Sequence, residues 1–259
     1  MRPLIHKPAL APAIRKRGIY LLPNLFTTAA LFAGFYAIVM AMGERYEYSA
    51  VAIFVAMVMD GLDGRVARLT HTQSAFGAEY DSLSDMVSFG VAPALVVYVW
   101  ALKGMGKLGW LAAFIYCVGA ALRLARFNTQ LDVMDKRWFQ GLPSPAAAAL
   151  MAGMVWVMSD LHIAGTTLSW PAWVLTIFAG VTMVSNVRYY SFKDLNLRKS
   201  IPFAFLLLIV LAIVLISSYP PGVLFGLFVV YALSGYVMCL ARLAKRPGDA
   251  RPIQGKTPD

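Results

Sequence analysis

Two pairs of aspartates, Asp60 with Asp63 and Asp81 with Asp85, stand within 26 residues of an otherwise apolar chain. The first pair is spaced i, i+3 and the second i, i+4, so each pair shares one helix face. A helix–loop–helix hairpin would bring the two faces together. Four carboxylates in one place repel, and the neighbouring sequence offers too few lysines and arginines to compensate them. An all-oxygen ligand set suits Mg2+ or Mn2+. Two such ions fit the charge, as in sites that clamp a phosphoryl group between two metals. Gly64 and Ala67 continue the first face almost without side chains, which lets a ligand approach the helix closely. Arg68, one turn past Gly64, is placed to reach a phosphate. Metal ligands, small residues and an arginine together imply a phosphate-containing substrate at a membrane surface.

The elements that must position these residues are membrane helices. The chain of 259 residues is 59% hydrophobic and 14% charged, against roughly half and a quarter in soluble domains. Eight apolar segments run over 21–42, 46–67, 84–102, 108–127, 144–161, 168–188, 201–218 and 221–243. Each is read as a helix, because hydrocarbon offers no partner for unpaired backbone groups. The short alternating segments of a β-barrel are absent. The expected fold is an all-α integral membrane protein of about eight transmembrane helices. A single domain covers 21–243, preceded by a basic arm at 1–20 and followed by a disordered tail at 244–259. The arm either lies in the interface against anionic headgroups or is solvated and fixes orientation. The first apolar run exceeds a signal-peptide core and is read as a retained helix.

The basic residues test this map. With both termini cytoplasmic, only Arg45, Lys103 and Lys107 of the 23 lysines and arginines fall on the opposite side. That is the positive-inside asymmetry. It explains the net charge of +10 better than nucleic-acid binding does. The two cysteines, Cys117 and Cys239, lie in apolar runs and read as buried, inert thiols. His6, His71 and His162 are scattered and receive no ligand role. Trp100, Trp110, Trp138 and Trp170, near segment ends, read as interface belts.

A carboxylate at the bilayer centre costs about 2.5–3.5 kcal/mol, so the aspartates must face a hydrated cavity or be neutralised. A purely structural membrane protein leaves that cost unexplained. A cation transporter would use membrane carboxylates, but it would also place polar groups along the midplane.

The run Asp60-x2-Asp63-Gly64-x2-Ala67-Arg68-x8-Gly77-x3-Asp81-x3-Asp85 is similar, residue for residue, to the signature of CDP-alcohol phosphotransferases. The resemblance implies a helical membrane enzyme, usually a homodimer, that moves the phosphatidyl group of a CDP-linked lipid to an alcohol and releases CMP. It implies two divalent cations on Asp60, Asp63, Asp81 and Asp85, and nucleotide contacts at Asp60, Gly64, Ala67, Arg68 and Gly77. It also implies that Asp85 is the general base.

Three further stretches, 20–38, 121–130 followed by 138–150, and 183–199, resemble the bacterial phosphatidylserine synthases of that family. They imply CDP-diacylglycerol as donor, L-serine as acceptor and a bacterial plasma membrane as location. Arg123 and Arg126, spaced i, i+3, could hold the diphosphate or the serine carboxylate, and Asn128 could add a hydrogen bond. The alternative is that these arginines only anchor their helix by snorkelling. Glycerol 3-phosphate, inositol phosphate and choline stay open as acceptors. Pro143 and Pro145 fit the first turn of a helix.

Overall fold

The computed structural model describes residues 12–70, 72, 74–130, 138–190 and 203–244. Helix α1 (Pro12–Met42) and α2 (Tyr46–Leu69) pack side by side along their lengths. A long helical run follows, made of α3 (Ala75–Asp85), a π-helical stretch (Met86–Val91) and α4 (Ala92–Val97). It ends in a second π-helical stretch (Tyr98–Leu102) and a 3-10 turn (Lys103–Met105). Next come α5 (Lys107–Gln130), α6 (Ser144–Asp160), α7 (Ser169–Val184), α8 (Phe203–Ser218) and α9 (Pro220–Ala244).

Each of the eight apolar segments overlaps helix in the described residues, and the chain is a mostly helical membrane protein. Among the described residues, five helical runs are long and apolar enough to cross a membrane: Pro23–Met42, Ala75–Met105, Lys107–Thr129, Gly165–Val184 and Pro220–Ala241. Helix α6 is the centre of the bundle. Its residues from Ala146 to Val155 are all buried, against α2, α4, α7 and α9. A helix that is apolar all round is one that neighbours enclose, and its alanines let them come close. Helix α8 leans on α9 and turns apolar side chains outward, Leu207 at 60% and Ile213 at 58% exposure.

Four boundaries or placements differ from the sequence reading. The third segment begins at Ala75 rather than 84, because Ser74 caps it by accepting the Gly77 N–H at 3.0 Å. Asp81 and Asp85 therefore lie inside the helix and not at its start. The sixth segment stops at Val184, where Ser185 turns extended (ψ 163°). Beyond it, β2 (Arg188–Tyr190) pairs antiparallel with β1 (Trp138–Gln140), with Phe139 opposite Tyr189. Gly141 follows β1 at φ 79°, and a Cβ there would collide with the Met183 carbonyl. Trp100 is 4% exposed and packs inside, over Gly165, instead of in an interface belt; Trp110 and Trp170 are exposed. Cys239 is exposed on α9 and Cys117 half-buried, so neither is a fully enclosed thiol. Pro143 and Pro145 do open α6, as N-cap and in its first turn.

Helix α1 runs unbroken through residue 20. Residues 1–11 and 245–259, with Lys136, Arg137, Lys193, Arg198 and Lys199, lie outside the described residues.

Candidate functional site

The end of α2 and the first turns of α3 face each other beside α1. Carboxylate oxygens of Asp60, Asp63 and Asp81 all lie within 4.8 Å of one another. Helix α1 sets this geometry through hydroxyls. Thr27 Oγ1 donates to Asp63 Oδ2 at 2.7 Å, with the Pro23 carbonyl at 3.2 Å as a second acceptor of the same proton. Ser84 Oγ donates to the Thr27 carbonyl at 3.1 Å and Ser88 Oγ to the Ala30 carbonyl at 3.0 Å. A Cβ on Gly34 would sit 2.6 Å from Ser88 Oγ, so α1 and the run after α3 meet at contact distance. These bonds fix the rotation of α3 about its axis, and with it the direction of Asp81 and Asp85.

Asp85 stands outside the trio, in contact with Asp60 and within electrostatic reach of Asp81 and Arg123. The π-helical stretch begins at the next residue, Met86. Such stretches insert an extra residue per turn and concentrate at functional sites. Tyr116 holds this one, donating to the Phe89 carbonyl at 3.0 Å.

A cavity of about 470 Å3 opens beside the trio. Asp63, Gly64, Ala67, Arg68, Gly77 and Asp81 line it, so six of the residues singled out by spacing share one space. A Cβ built on Gly64 would meet nothing within 4 Å, which leaves the α2 backbone open to a ligand. Arg68 folds back, its Nε donating to the Gly64 carbonyl at 2.8 Å, and stays exposed at the rim.

Arg123, Arg126 and Asn128, on α5, are not among the cavity's lining residues. Asn128 Nδ2 donates to Ser82 Oγ at 2.9 Å, between Asp81 and Asp85 in the chain. Arg123 Nη1 donates to Ser144 Oγ at 2.6 Å. Arg126 buries its Nη1 with no hydrogen-bond partner among the described residues. A buried guanidinium nitrogen without an acceptor is a place for an anion.

Sequence reading missed Asn24 and Thr27 of α1, Thr72, Ser74 and Phe127, which line the cavity together with Pro23 and Ala78. The signal available was polar Asn24, Thr27 and Thr28 inside an apolar run. Ser144 was also missed, because its partner Arg123 is 21 residues away.

The donor set fits hard divalent cations. Three carboxylates this close repel strongly unless a cation sits among them, and all their ligand atoms are oxygen. Cations on a rigid carboxylate cluster beside an open glycine face can hold and polarise a diphosphate.

A profile of the CDP-alcohol phosphatidyltransferase family matches residues 20–178. A Helicobacter pylori protein named CDP-diacylglycerol–serine O-phosphatidyltransferase is 34% identical over 226 residues, 87% of this chain and 94% of that protein. A Mycobacterium tuberculosis protein of the same name is 36% identical over 207 residues, 76% of this chain and 71% of its own length. One from Methanocaldococcus jannaschii is 36% identical over 185 residues, 71% of this chain and 81% of that protein.

Proposed function

The chain belongs to the CDP-alcohol phosphatidyltransferase family, and on that premise we propose that it transfers the phosphatidyl group of CDP-diacylglycerol to L-serine, giving phosphatidylserine and CMP. The observation that carries this reading is the meeting of Asp60, Asp63 and Asp81 beside a cavity open at Gly64. Two divalent cations, Mg2+ or Mn2+, would be held by Asp60, Asp63, Asp81 and Asp85 and would offset the charge of the diphosphate and of the departing CMP.

The chain's own residues do the rest. Gly64, Ala67 and Gly77 leave room for the nucleotide and diphosphate, and Arg68 at the rim takes a phosphate. The acyl chains pass between helices into the bilayer. Asp85, in contact with Asp60 at the edge of the trio, takes the proton of the serine hydroxyl as its oxygen attacks the lipid-proximal phosphorus. The bond from that phosphorus to the CMP phosphate breaks. Arg126, with its buried nitrogen that no described residue hydrogen-bonds, receives the serine carboxylate, and Asn128, bonded to Ser82, is a neutral donor beside α3. Arg123 faces Asp85 as its counter-charge.

In this reading the bundle spans the membrane eight times as a homodimer, with both termini and the aspartates on the cytoplasmic side of a bacterial plasma membrane. The distribution of lysine and arginine supports that orientation.

The test is CMP release from CDP-diacylglycerol by the purified protein, in Mg2+ or Mn2+, across a panel of acceptors. Release that requires serine and yields phosphatidylserine is the expected result. Release with glycerol 3-phosphate, inositol phosphate or choline instead would keep the aspartate chemistry and discard serine. No release from folded protein would overturn group transfer and return the carboxylates to cation transport.

A further inference from the structure

The three carboxylates of the trio are not equally held. Asp60 and Asp81 are half-buried, whereas Asp63 is 5% exposed. Water can orient the first two, but a buried carboxylate depends on protein donors for its direction. Helix α1 supplies one in Thr27, itself 3% exposed. The Thr27 hydroxyl reaches Asp63 Oδ2 at 2.7 Å, closer than the Pro23 carbonyl one turn back at 3.2 Å. That carbonyl keeps Thr27 in the rotamer that points at Asp63, and β-branching leaves it few others.

Thr27 also engages α3 through its backbone. Its carbonyl accepts from Ser84 Oγ at 3.1 Å, three residues after Asp81. One residue thus touches both aspartate-bearing helices, Asp63 of α2 with its hydroxyl and Ser84 of α3 with its carbonyl. It lines the cavity beside Asp63 and Asp81. The next residue is its matched comparison. Thr28 Oγ1 donates to the Asn24 carbonyl at 2.7 Å and is bonded to the Tyr80 hydroxyl at 2.9 Å. Thr28 therefore also ties α1 to a neighbouring helix, but with no carboxylate at the far end.

Resting on the cation part of the phosphatidylserine reading, we propose that Thr27 is a positioning residue for divalent-cation binding: its hydroxyl fixes the plane of the Asp63 carboxylate, and its carbonyl holds α3 so that Asp63 and Asp81 converge. Helix α1 carries none of the four aspartates, yet it completes their site. Oxygens fixed before a cation arrives spare binding the cost of ordering them. Losing a partner that orients a metal ligand typically weakens metal binding about 10- to 100-fold.

The test titrates Mn2+ into substrate-free protein in detergent, free Mn2+ being read by electron paramagnetic resonance and folding by thermal unfolding. Wild type is compared with Thr27→Val, Thr27→Ser and Thr28→Val. Valine keeps the branched shape and loses only the hydroxyl. Thr27→Val is expected to weaken Mn2+ binding about tenfold. Thr27→Ser restores the donor and is expected to bind within about threefold of wild type, and Thr28→Val within about twofold. Thr27→Ala removes the same hydroxyl with a smaller side chain and is held to the tenfold expectation, so a misfolded valine variant leaves the test standing. Undiminished or tighter Mn2+ binding in the folded Thr27 variants without a hydroxyl, a serine variant as weak as they are, or an equal loss in Thr28→Val would overturn the proposal. Wild type that binds no Mn2+ would instead overturn the cation reading, and this inference with it.

Discussion

Gly64 and Gly119 sit in helices of 24 residues each, α2 and α5, and serve opposite purposes. A Cβ on Gly119 would collide with the Gly180 carbonyl, because α5 and α7 cross backbone to backbone there. A Cβ on Gly180 would lie 2.8 Å from the Tyr116 Cα. At Gly64 a Cβ would meet nothing within 4 Å, and the open space is the cavity next to Asp63 and Asp81. One absent side chain is replaced by protein and the other by nothing. Small residues in membrane helices serve close packing by default. The exception here is a small residue that no neighbour covers, beside carboxylates that need a cation.

That contrast can be broken or sharpened by four changes, the largest effect first. Chelation of divalent cations acts only at the aspartates. CMP release is expected to fall to background and return with Mg2+ or Mn2+, while helical content by circular dichroism stays the same. Asp85→Asn removes the base, so turnover is expected to fall about 1,000-fold with unchanged helicity and elution volume. Near-normal turnover in that variant would make the base assignment wrong. Gly180→Val acts at the packed crossing. Overpacking costs about 1–3 kcal/mol and more against backbone, so the unfolding midpoint in detergent should drop while KM for CDP-diacylglycerol in folded protein holds. Gly226→Ala is the control for openness alone. Gly226 on α9 also has nothing within 4 Å, but no carboxylate adjoins it. Midpoint and CMP release are expected to stay within about 0.5 kcal/mol of wild type.

Hydropathy located the apolar helices among the described residues, because burial in lipid imposes long continuous apolar runs. It misplaced the start of α3, where Ala75–Asp85 is amphiphilic and is begun by the Ser74 cap and not by hydrophobicity. The aspartate trio was legible because Asp60, Asp63 and Asp81 lie on two helices joined by a short connection, so a helix–loop–helix hairpin brings them together. The α1 contribution was not. Thr27 reaches Asp63 across 36 residues and Ser88 reaches Ala30 across 58, and no local pattern encodes such pairs. The β1–β2 ribbon was invisible for the same reason. Its strands of three residues each are defined by partners 48 to 52 positions apart and carry no alternation of their own. The π-helical stretches leave no mark in composition. The arginines of α5 were legible as cations, but their division of labour was not. Ser144 engages Arg123, and nothing among the described residues hydrogen-bonds the buried nitrogen of Arg126.

The open face of α2 at Gly64 is assigned as substrate space. The most direct measurement is a calorimetric titration of CDP into wild type and Gly64→Val in the presence of Mg2+, with thermal unfolding followed in parallel. A side chain at that position has room in the protein and should lower CDP affinity at least about tenfold, near 1.4 kcal/mol, without lowering the unfolding midpoint. Undiminished CDP binding by Gly64→Val, or a collapse of its fold, would contradict the assignment.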